Sequence, residues 1–158
     1  MPVTPEDYMR LAIEIAEVGI AVRQSPFGAI IVRDGVVLAA THNTVWRDTD
    51  PTAHAEVNAI RAAAARLRQI ALTGCVMYST CEPCPMCLSA IHWAKLDAVY
   101  YGAVIADAEA AGFCELALPA TRLAELGGSP LRVLPGPLRE ECSALFTKWK
   151  AAGLSSPY

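Results

Sequence analysis

The chain has 158 residues, of which 54% are apolar, so it is long enough to bury a sizeable core and short enough to form one domain. It carries 13 Lys and Arg against 16 Asp and Glu, and this net charge of −3 disfavours a nucleic-acid partner. The sequence has no run of about 18 apolar residues that could cross a membrane, and its acidic start does not resemble a secretory signal, so we expect a cytoplasmic protein without a membrane partner.

The first third of the chain predicts a helix and a hairpin. Thr4 is a favourable N-cap and Pro5 suits the first helical position, after which apolar residues recur at helical spacing. The short β-branched runs 27–32 and 36–40 flank Asp34-Gly35, a dipeptide typical of hairpin turns. These two runs are predicted to form an antiparallel pair.

A polar segment and an Ala-rich segment follow the hairpin. Residues 42–51 contain turn-forming side chains, so we expect a surface loop of the kind that often carries substrate contacts. Residues 52–67 lack Pro and Gly and predict a helix with His54 in its first turn. Because residues two apart on a helix point in different directions, His54 and Glu56 can serve one site only beyond the N-terminal end of this helix.

The rest of the chain alternates strands with helices. Strands are predicted at 75–79, 97–102 and 131–134, and helices at 85–95, 120–126 and 137–150, while 105–113 is predicted to be irregular or briefly helical. The order α-β-β-α-β-α-β-α-β-α predicts an α/β fold, a three-layer α/β/α sandwich with a central mixed five-stranded sheet. We expect residues 1–158 to form a single domain.

One imidazole and two thiols form a candidate metal site. His54 lies in His54-Ala55-Glu56, and the cysteines lie in Pro83-Cys84-Pro85-Met86-Cys87. These ligands suit Zn²⁺, and three protein ligands leave the fourth position open to water, as catalytic sites require. Glu56 is then available to carry protons at that position. Since both segments begin helices, the helix N-termini would favour thiolates.

Two other interpretations of these residues are open. Cys81 would complete a closed Cys3His zinc site with the other ligands, which would describe a binding module with structural zinc rather than an enzyme. Against this, Glu56 would lose its role, and a chain with this apolar content needs no metal to fold. Alternatively, His54 would be an ordinary core residue. The remaining cysteines are expected to be small buried residues, namely Cys75, Cys114 and Cys142. His42 is expected to be exposed in its loop.

Three segments carry a family resemblance, namely Pro26-Phe27-Gly28-Ala29-Ile30-Ile31-Val32, Asp50-Pro51-Thr52-Ala53-His54-Ala55-Glu56-Val57 and Cys81-Glu82-Pro83-Cys84-Pro85-Met86-Cys87. They resemble the cytidine deaminase-like superfamily and, within it, the bacterial guanine deaminase branch. His-x-Glu followed by Pro-Cys-x-x-Cys is the signature of the zinc deaminases. The resemblance extends from the first helix to Phe113 and becomes weaker beyond Glu115. The tRNA adenosine deaminases share the His-Ala-Glu segment but usually lack Pro85.

This resemblance implies roles for individual residues. It implies that zinc is bound by His54, Cys84 and Cys87, and that Glu56 is the catalytic acid and base. Glu115 falls where guanine deaminases have the second of two aspartates and is expected to be a second proton carrier, although its longer side chain leaves the substrate open. The expected substrate-binding residues are Phe27, Asn43, Trp93 and Tyr158.

The resemblance also implies a homodimer. In the guanine deaminase branch the C-terminal segment exchanges between subunits, so segment 135–158, which ends in Tyr158, is expected to close the site of a partner. The apolar face of the last predicted helix would supply a surface for that neighbour, through Leu138, Leu145, Phe146 and Trp149.

We therefore expect a zinc-dependent hydrolytic deaminase that releases ammonia from a free heterocyclic base. Guanine, which would yield xanthine, is the first candidate substrate. Another amino-heterocycle, such as an aminotriazine, cytosine or a nucleoside, would leave every motif unchanged. A tRNA substrate remains a further alternative, although the chain has only three lysines, namely Lys95, Lys148 and Lys150.

Overall fold

The computed structural model describes residues 3–154 and 156–158 of the chain. The secondary structure of this part runs, in order, α1 (Pro5–Ala21), β1 (Gly28–Arg33), β2 (Val36–His42), α2 (Val45–Asp48), α3 (Ala55–Leu67), β3 (Val76–Cys81), α4 (Pro85–Trp93), β4 (Ala98–Ala103), α5 (Ile105–Ala110), α6 (Ala120–Leu126), β5 (Arg132–Pro135) and α7 (Arg139–Ala151). The ten predicted elements are present in the predicted order, and α2 and α5 are short helices between them.

The strands form one mixed sheet in the order β2-β1-β3-β4-β5. Strand β1 pairs antiparallel with both β2 and β3, whereas β3, β4 and β5 are parallel. The hairpin turn matches the prediction, since Asp34 and Gly35 have φ of 51° and 78°, as a type I′ turn requires. Strands β3 and β4 are parallel, so their carboxyl ends lie at the same end of the sheet. The segment Pro83 to Cys87, which contains the two cysteine ligands, follows β3 at that end.

Side chains alternate between the two faces of the sheet and create two cores. Ile31 on one face packs with residues of α3, α4 and α6. Ile30 on the other face packs with residues of α1, α5 and α7. Helices therefore cover both faces, and the predicted three-layer α/β/α sandwich is confirmed.

The structure corrects the predicted loop at 42–51. This segment contains the one-turn helix α2, and the carboxylate of Asp48 accepts a hydrogen bond from Thr44 Oγ1 at 2.6 Å. His42 is half-buried at the end of β2 rather than exposed, because its imidazole packs against Gly19 of α1. The segment is more closely packed than its polar composition predicts.

Three further predictions are corrected. His54 is the N-cap of α3 and lies just outside the helix, with an extended backbone at φ −67° and ψ 155°. Cys114 is exposed, in contrast to Cys75 and Cys142. The apolar face of α7 is buried within the same chain, where Leu145 and Trp149 are 1% and 2% exposed, so it is not available to a neighbour in this arrangement. None of the described helices is both long and apolar enough to span a bilayer.

Candidate active site

The three predicted metal ligands converge from the N-terminal ends of two helices. His54 is the N-cap of α3, Cys84 is the N-cap of α4, and Cys87 lies in the first turn of α4. The Nδ1 atom of His54 lies 3.7 Å from the Sγ atom of Cys84 and 3.4 Å from that of Cys87. All three ligand atoms fall within 4.8 Å of one another. The helices thus place a nitrogen and two sulfur atoms around one point.

The spacing of these atoms fits zinc. Zn–N and Zn–S bonds of about 2.0 and 2.3 Å in a tetrahedron place nitrogen and sulfur about 3.5 Å apart. Both separations from His54 agree with that value. The thiol of Cys81 instead lies 3.8 Å from the carbonyl oxygen of Val104, and in the described part of the chain it does not join the ligand group. Three protein ligands with one open position favour a catalytic site over the closed Cys3His alternative.

The two cysteine ligands form a coupled pair. The thiol of Cys87 donates to Cys84, and this hydrogen bond, together with the one to His54, lowers the pKa of Cys84 to about 4 against the opposing effect of burial. The same hydrogen bond and burial raise the pKa of Cys87. One thiolate is therefore stable before a cation binds, and a dication would displace the remaining proton.

Glu56 lies on the first turn of α3, beside the ligands. Its side chain is 7% exposed, and burial raises its pKa. Ser79 of β3 places its hydroxyl 3.4 Å from Oε1 of Glu56. Because His54 and Glu56 both lie at the N-terminal end of α3, the two side chains reach one site, as the sequence requires. A buried carboxylate beside an open metal position can accept and return a proton.

One small cavity joins most of the predicted site residues. Its free volume is about 20 Å³, which is room for about one water molecule. Cys87 lies behind the wall, against His54 and 0% exposed. The predicted residues that line the cavity are Phe27, Asn43, His54, Glu56, Cys84, Glu115 and Tyr158.

Asn43 is fully buried and has a fixed orientation. Its Oδ1 atom accepts a hydrogen bond at 3.1 Å from the backbone N–H of Val45, the first residue of α2. Its Nδ2 group is consequently directed into the cavity, where it donates to the hydroxyl of Tyr158. Asn43 therefore presents a hydrogen-bond donor to whatever occupies the cavity.

Aromatic rings and the C-terminus form the other walls. The ring of Phe27 lies 5.0 Å from that of Phe113 in an edge-to-face arrangement. Tyr158 lies 5.6 Å from Phe113 and 5.5 Å from His54. Burial raises the pKa of Tyr158, so its hydroxyl stays protonated. In this structure the C-terminus folds back over the site of its own chain.

Glu115 reaches the cavity from the irregular segment between α5 and α6. It is half-buried, and burial, followed by the charge of Cys84, raises its pKa to about 7. A carboxyl group with this pKa can exchange protons near neutral pH. Its position on the cavity wall is compatible with the predicted role as a second proton carrier.

The structure does not bring Trp93 to the cavity. Trp93 is the last residue of α4, is 76% exposed, and packs edge-on against His92 at 6.2 Å. The sequence analysis did not predict Phe113 as a site residue, although its ring contacts both Phe27 and Tyr158. It also gave no role to Glu82, which lines the cavity. The only available signal for Glu82 was its place in the Cys-Glu-Pro-Cys segment.

Comparison with known proteins supports this description. The family model of the cytidine and deoxycytidylate deaminase zinc-binding region matches residues 2–103. The chain is 49% identical over 109 residues to the guanine deaminase of Bacillus subtilis (strain 168), covering 68% of this chain and 70% of that protein. It is 38% identical over 99 residues to a tRNA-specific adenosine deaminase of Aquifex aeolicus (strain VF5), covering 63% and 66% respectively.

A solved structure extends the similarity to the whole fold. The guanine deaminase of Nitrosomonas europaea superposes with a TM-score of 0.87 at 29% identity, covering 94% of this chain and 86% of that chain. The present chain therefore belongs to the cytidine and deoxycytidylate deaminase family. It is a zinc-dependent hydrolytic deaminase, and the resemblance to this superfamily and to its guanine deaminase branch is confirmed.

Proposed function

We propose that the chain deaminates free guanine to xanthine and releases ammonia. The observation that carries the proposal is one small cavity lined by His54, Cys84 and Glu56, into which Asn43 directs its donor group beside Tyr158. A planar base with a ring acceptor suits this set of groups, and the two guanine deaminases to which the chain is similar support guanine as that base.

The residues of the chain divide the chemistry between them. When bound, zinc supplies a Lewis acid that lowers the pKa of a water molecule to about 7. Glu56 accepts a proton from the attacking water and delivers it to a ring nitrogen, and it then passes the proton of the added hydroxyl to the exocyclic amine, which departs as ammonia and leaves a carbonyl group on the ring. Glu115, which lines the same cavity, supplies a second exchangeable proton.

Substrate orientation is assigned to three other residues. Phe27 packs its ring against the base, and Asn43 donates its Nδ2 hydrogen bond to a ring acceptor. In the structure the hydroxyl of Tyr158 accepts that hydrogen bond from Asn43. Tyr158 must therefore release Asn43 when the substrate enters and then cover the base. Water is thereby kept from the reacting groups, which strengthens their electrostatic interactions.

A tRNA substrate is disfavoured by the same features. A nucleotide held in a polymer cannot be enclosed by the C-terminus, whose Tyr158 lines the cavity beside Asn43. The net charge of −3 also provides little attraction for phosphates. We propose a small-molecule base as the partner, within purine catabolism.

We also propose that the enzyme is a cytoplasmic homodimer of single-domain chains, in which segment 135–158 can exchange between subunits. Strand β5 is an edge strand, and three residues, Gly136, Pro137 and Leu138, connect it to α7, so this helix is attached through one short connection. The need for two thiolate ligands favours a reducing compartment.

The test is ammonia release by the zinc-loaded enzyme from a panel of substrates. The panel contains guanine, cytosine, an aminotriazine, guanosine and a tRNA, and xanthine and inosine are identified by chromatography. We expect xanthine from guanine and no inosine in the tRNA. If only cytosine or only the aminotriazine is deaminated, that base is the substrate instead of guanine. Inosine in the tRNA would overturn the proposal.

A further inference from the structure

Glu82 connects two parts of the active site, the loop that holds Cys84 and the segment that follows β4. It follows β3 directly and precedes Cys84 by two residues, and its backbone N–H donates to the carbonyl oxygen of Ala103 at 2.8 Å. Its half-buried side chain lines the zinc cavity on one side and a cleft between α5 and α6 on the other. The carboxylate is therefore shared between the metal loop and the segment that follows β4.

Both carboxylate oxygens of Glu82 accept hydrogen bonds from helix starts. Oε2 accepts from the N–H of Ile105 at 3.1 Å, and Oε1 accepts from the N–H of Ala120 at 2.9 Å. These amides begin α5 and α6, whose N-cap residues Val104 and Pro119 provide no side-chain cap. The first N–H groups of a helix need a partner from outside the helix, and Glu82 supplies one to each.

The residues between these two amides carry part of the active site. Between the end of α5 and the start of α6 the backbone forms neither helix nor strand, and this stretch contains Phe113 and Glu115. Phe113 supports the rings of Phe27 and Tyr158, and Glu115 lines the cavity. Glu82 fixes the two ends of the 105–120 segment to the loop that holds Cys84.

We propose that Glu82 is a positioning residue that sets the distance between Glu115 and the zinc site. The proposal rests on the function assigned above to Glu115 and extends it to a residue that does not react. Replacing Glu82 with Gln would leave one acceptor oxygen and turn an NH2 group towards the other helix amide. The 105–120 segment would then shift away from the zinc loop while the zinc ligands stayed in place.

The kinetic test is a double-mutant cycle of Glu82→Gln and Glu115→Gln on the zinc-loaded enzyme. Groups that orient a metal site from outside the ligand set typically change activity 10- to 100-fold, so we expect Glu82→Gln to lower kcat by about that factor at unchanged zinc content. Because Glu82 acts through Glu115, the double variant should retain kcat within about threefold of Glu115→Gln alone. Glu125→Gln, an exposed substitution on α6 whose carboxylate contacts only the exposed Arg122, is the matched control and should keep wild-type kcat.

Additive losses in the double variant, full activity of Glu115→Gln, or loss of zinc in Glu82→Gln would each overturn the proposal. A second arm needs no substrate and so remains decisive if guanine is not deaminated. In Glu82→Gln, hydrogen exchange at the amides of Ile105 and Ala120 should accelerate at least about tenfold, whereas Glu125→Gln should leave it unchanged. Unaltered exchange at both amides would show that Glu82 does not anchor this segment.

Discussion

The zinc half of the site and the half that closes over it are built differently. His54, Cys84 and Cys87 are fixed at helix starts that are packed on the sheet, and their neighbours Ala55 and Leu88 are 0% and 2% exposed. The closing half consists of an irregular segment around Glu115 and a tail whose last residue contacts Asn43 from 115 positions away. We therefore propose that the zinc half defines the reaction and that the closing half selects the substrate.

Removing a zinc ligand should have the largest effect. We expect Cys84→Ala or Cys87→Ala to reduce zinc from about one ion per chain to almost none and to abolish activity, because two ligands bind the ion weakly. The large buried core should keep the variants folded. Zinc by atomic absorption and thermal unfolding by circular dichroism measure the two outcomes.

Cys81→Ser is the control for these variants, since Cys81 lies in the same segment and its thiol is directed towards Val104. Its zinc content should match that of the wild type. An empty site in Cys81→Ser would instead make Cys81 a ligand and revive the structural zinc interpretation.

Replacing the acid and base should have the next largest effect. Glu56→Gln keeps the volume of the side chain but cannot accept a proton, so kcat should fall by about 10²- to 10⁴-fold while zinc content stays unchanged. Steady-state kinetics together with metal analysis provide the measurement. If zinc is lost along with activity, Glu56 is a zinc ligand, and its assignment as the catalytic acid and base is wrong.

The closing half should respond less strongly. Tyr158→Ala removes the ring that covers the cavity, and we expect kcat/KM for guanine to fall by about 10²-fold because water enters and the base is held less firmly. Tyr158→Phe keeps the ring and loses only the hydroxyl that binds Asn43, so its kcat/KM should stay within about tenfold of the wild type. Equal losses in both variants would place the role of Tyr158 in its hydroxyl rather than in closure.

The source of the tail can be tested by mixing two inactive chains. One lacks residues 155–158 and keeps an intact zinc half, and the other carries Glu56→Gln and keeps an intact tail. If the tail is exchanged between subunits, the mixture should recover part of the wild-type activity. The absence of recovery after confirmed subunit exchange would mean that each tail closes its own site, as in this structure.

The sequence predicted the zinc half well because its signals are local. The helix 120–126 agrees with the structure residue for residue, and the N-terminal helix begins at the predicted cap, where Thr4 and Asp7 exchange hydrogen bonds. The zinc ligands come together because α3 and α4 both begin at the same end of the sheet, and the predicted order of elements already implies this. These ligands are His54, Cys84 and Cys87. Turn chemistry and caps act within a few residues, so the sequence displays them directly.

The closing half was harder to predict because its contacts join distant residues. Nothing in the sequence around Trp93 shows that it is exposed, and nothing around Phe113 shows that its ring meets both Phe27 and Tyr158. The path of the tail over Asn43 depends on packing between α7 and the sheet, which is a property of the whole chain. The short helix α2 likewise forms where polar composition alone favours a loop.

The most direct test of the proposed division is a comparison of kcat/KM for guanine and guanosine with the full-length, zinc-loaded enzyme. Both molecules present the same amine to the zinc half, and only guanosine carries a ribose that the closed cavity must accommodate. Exclusion of the sugar should favour guanine by at least about 10²-fold, since a substituent that prevents closure removes the enclosed geometry. Equal kcat/KM values for the two substrates would contradict the claim that the closing half selects a free base.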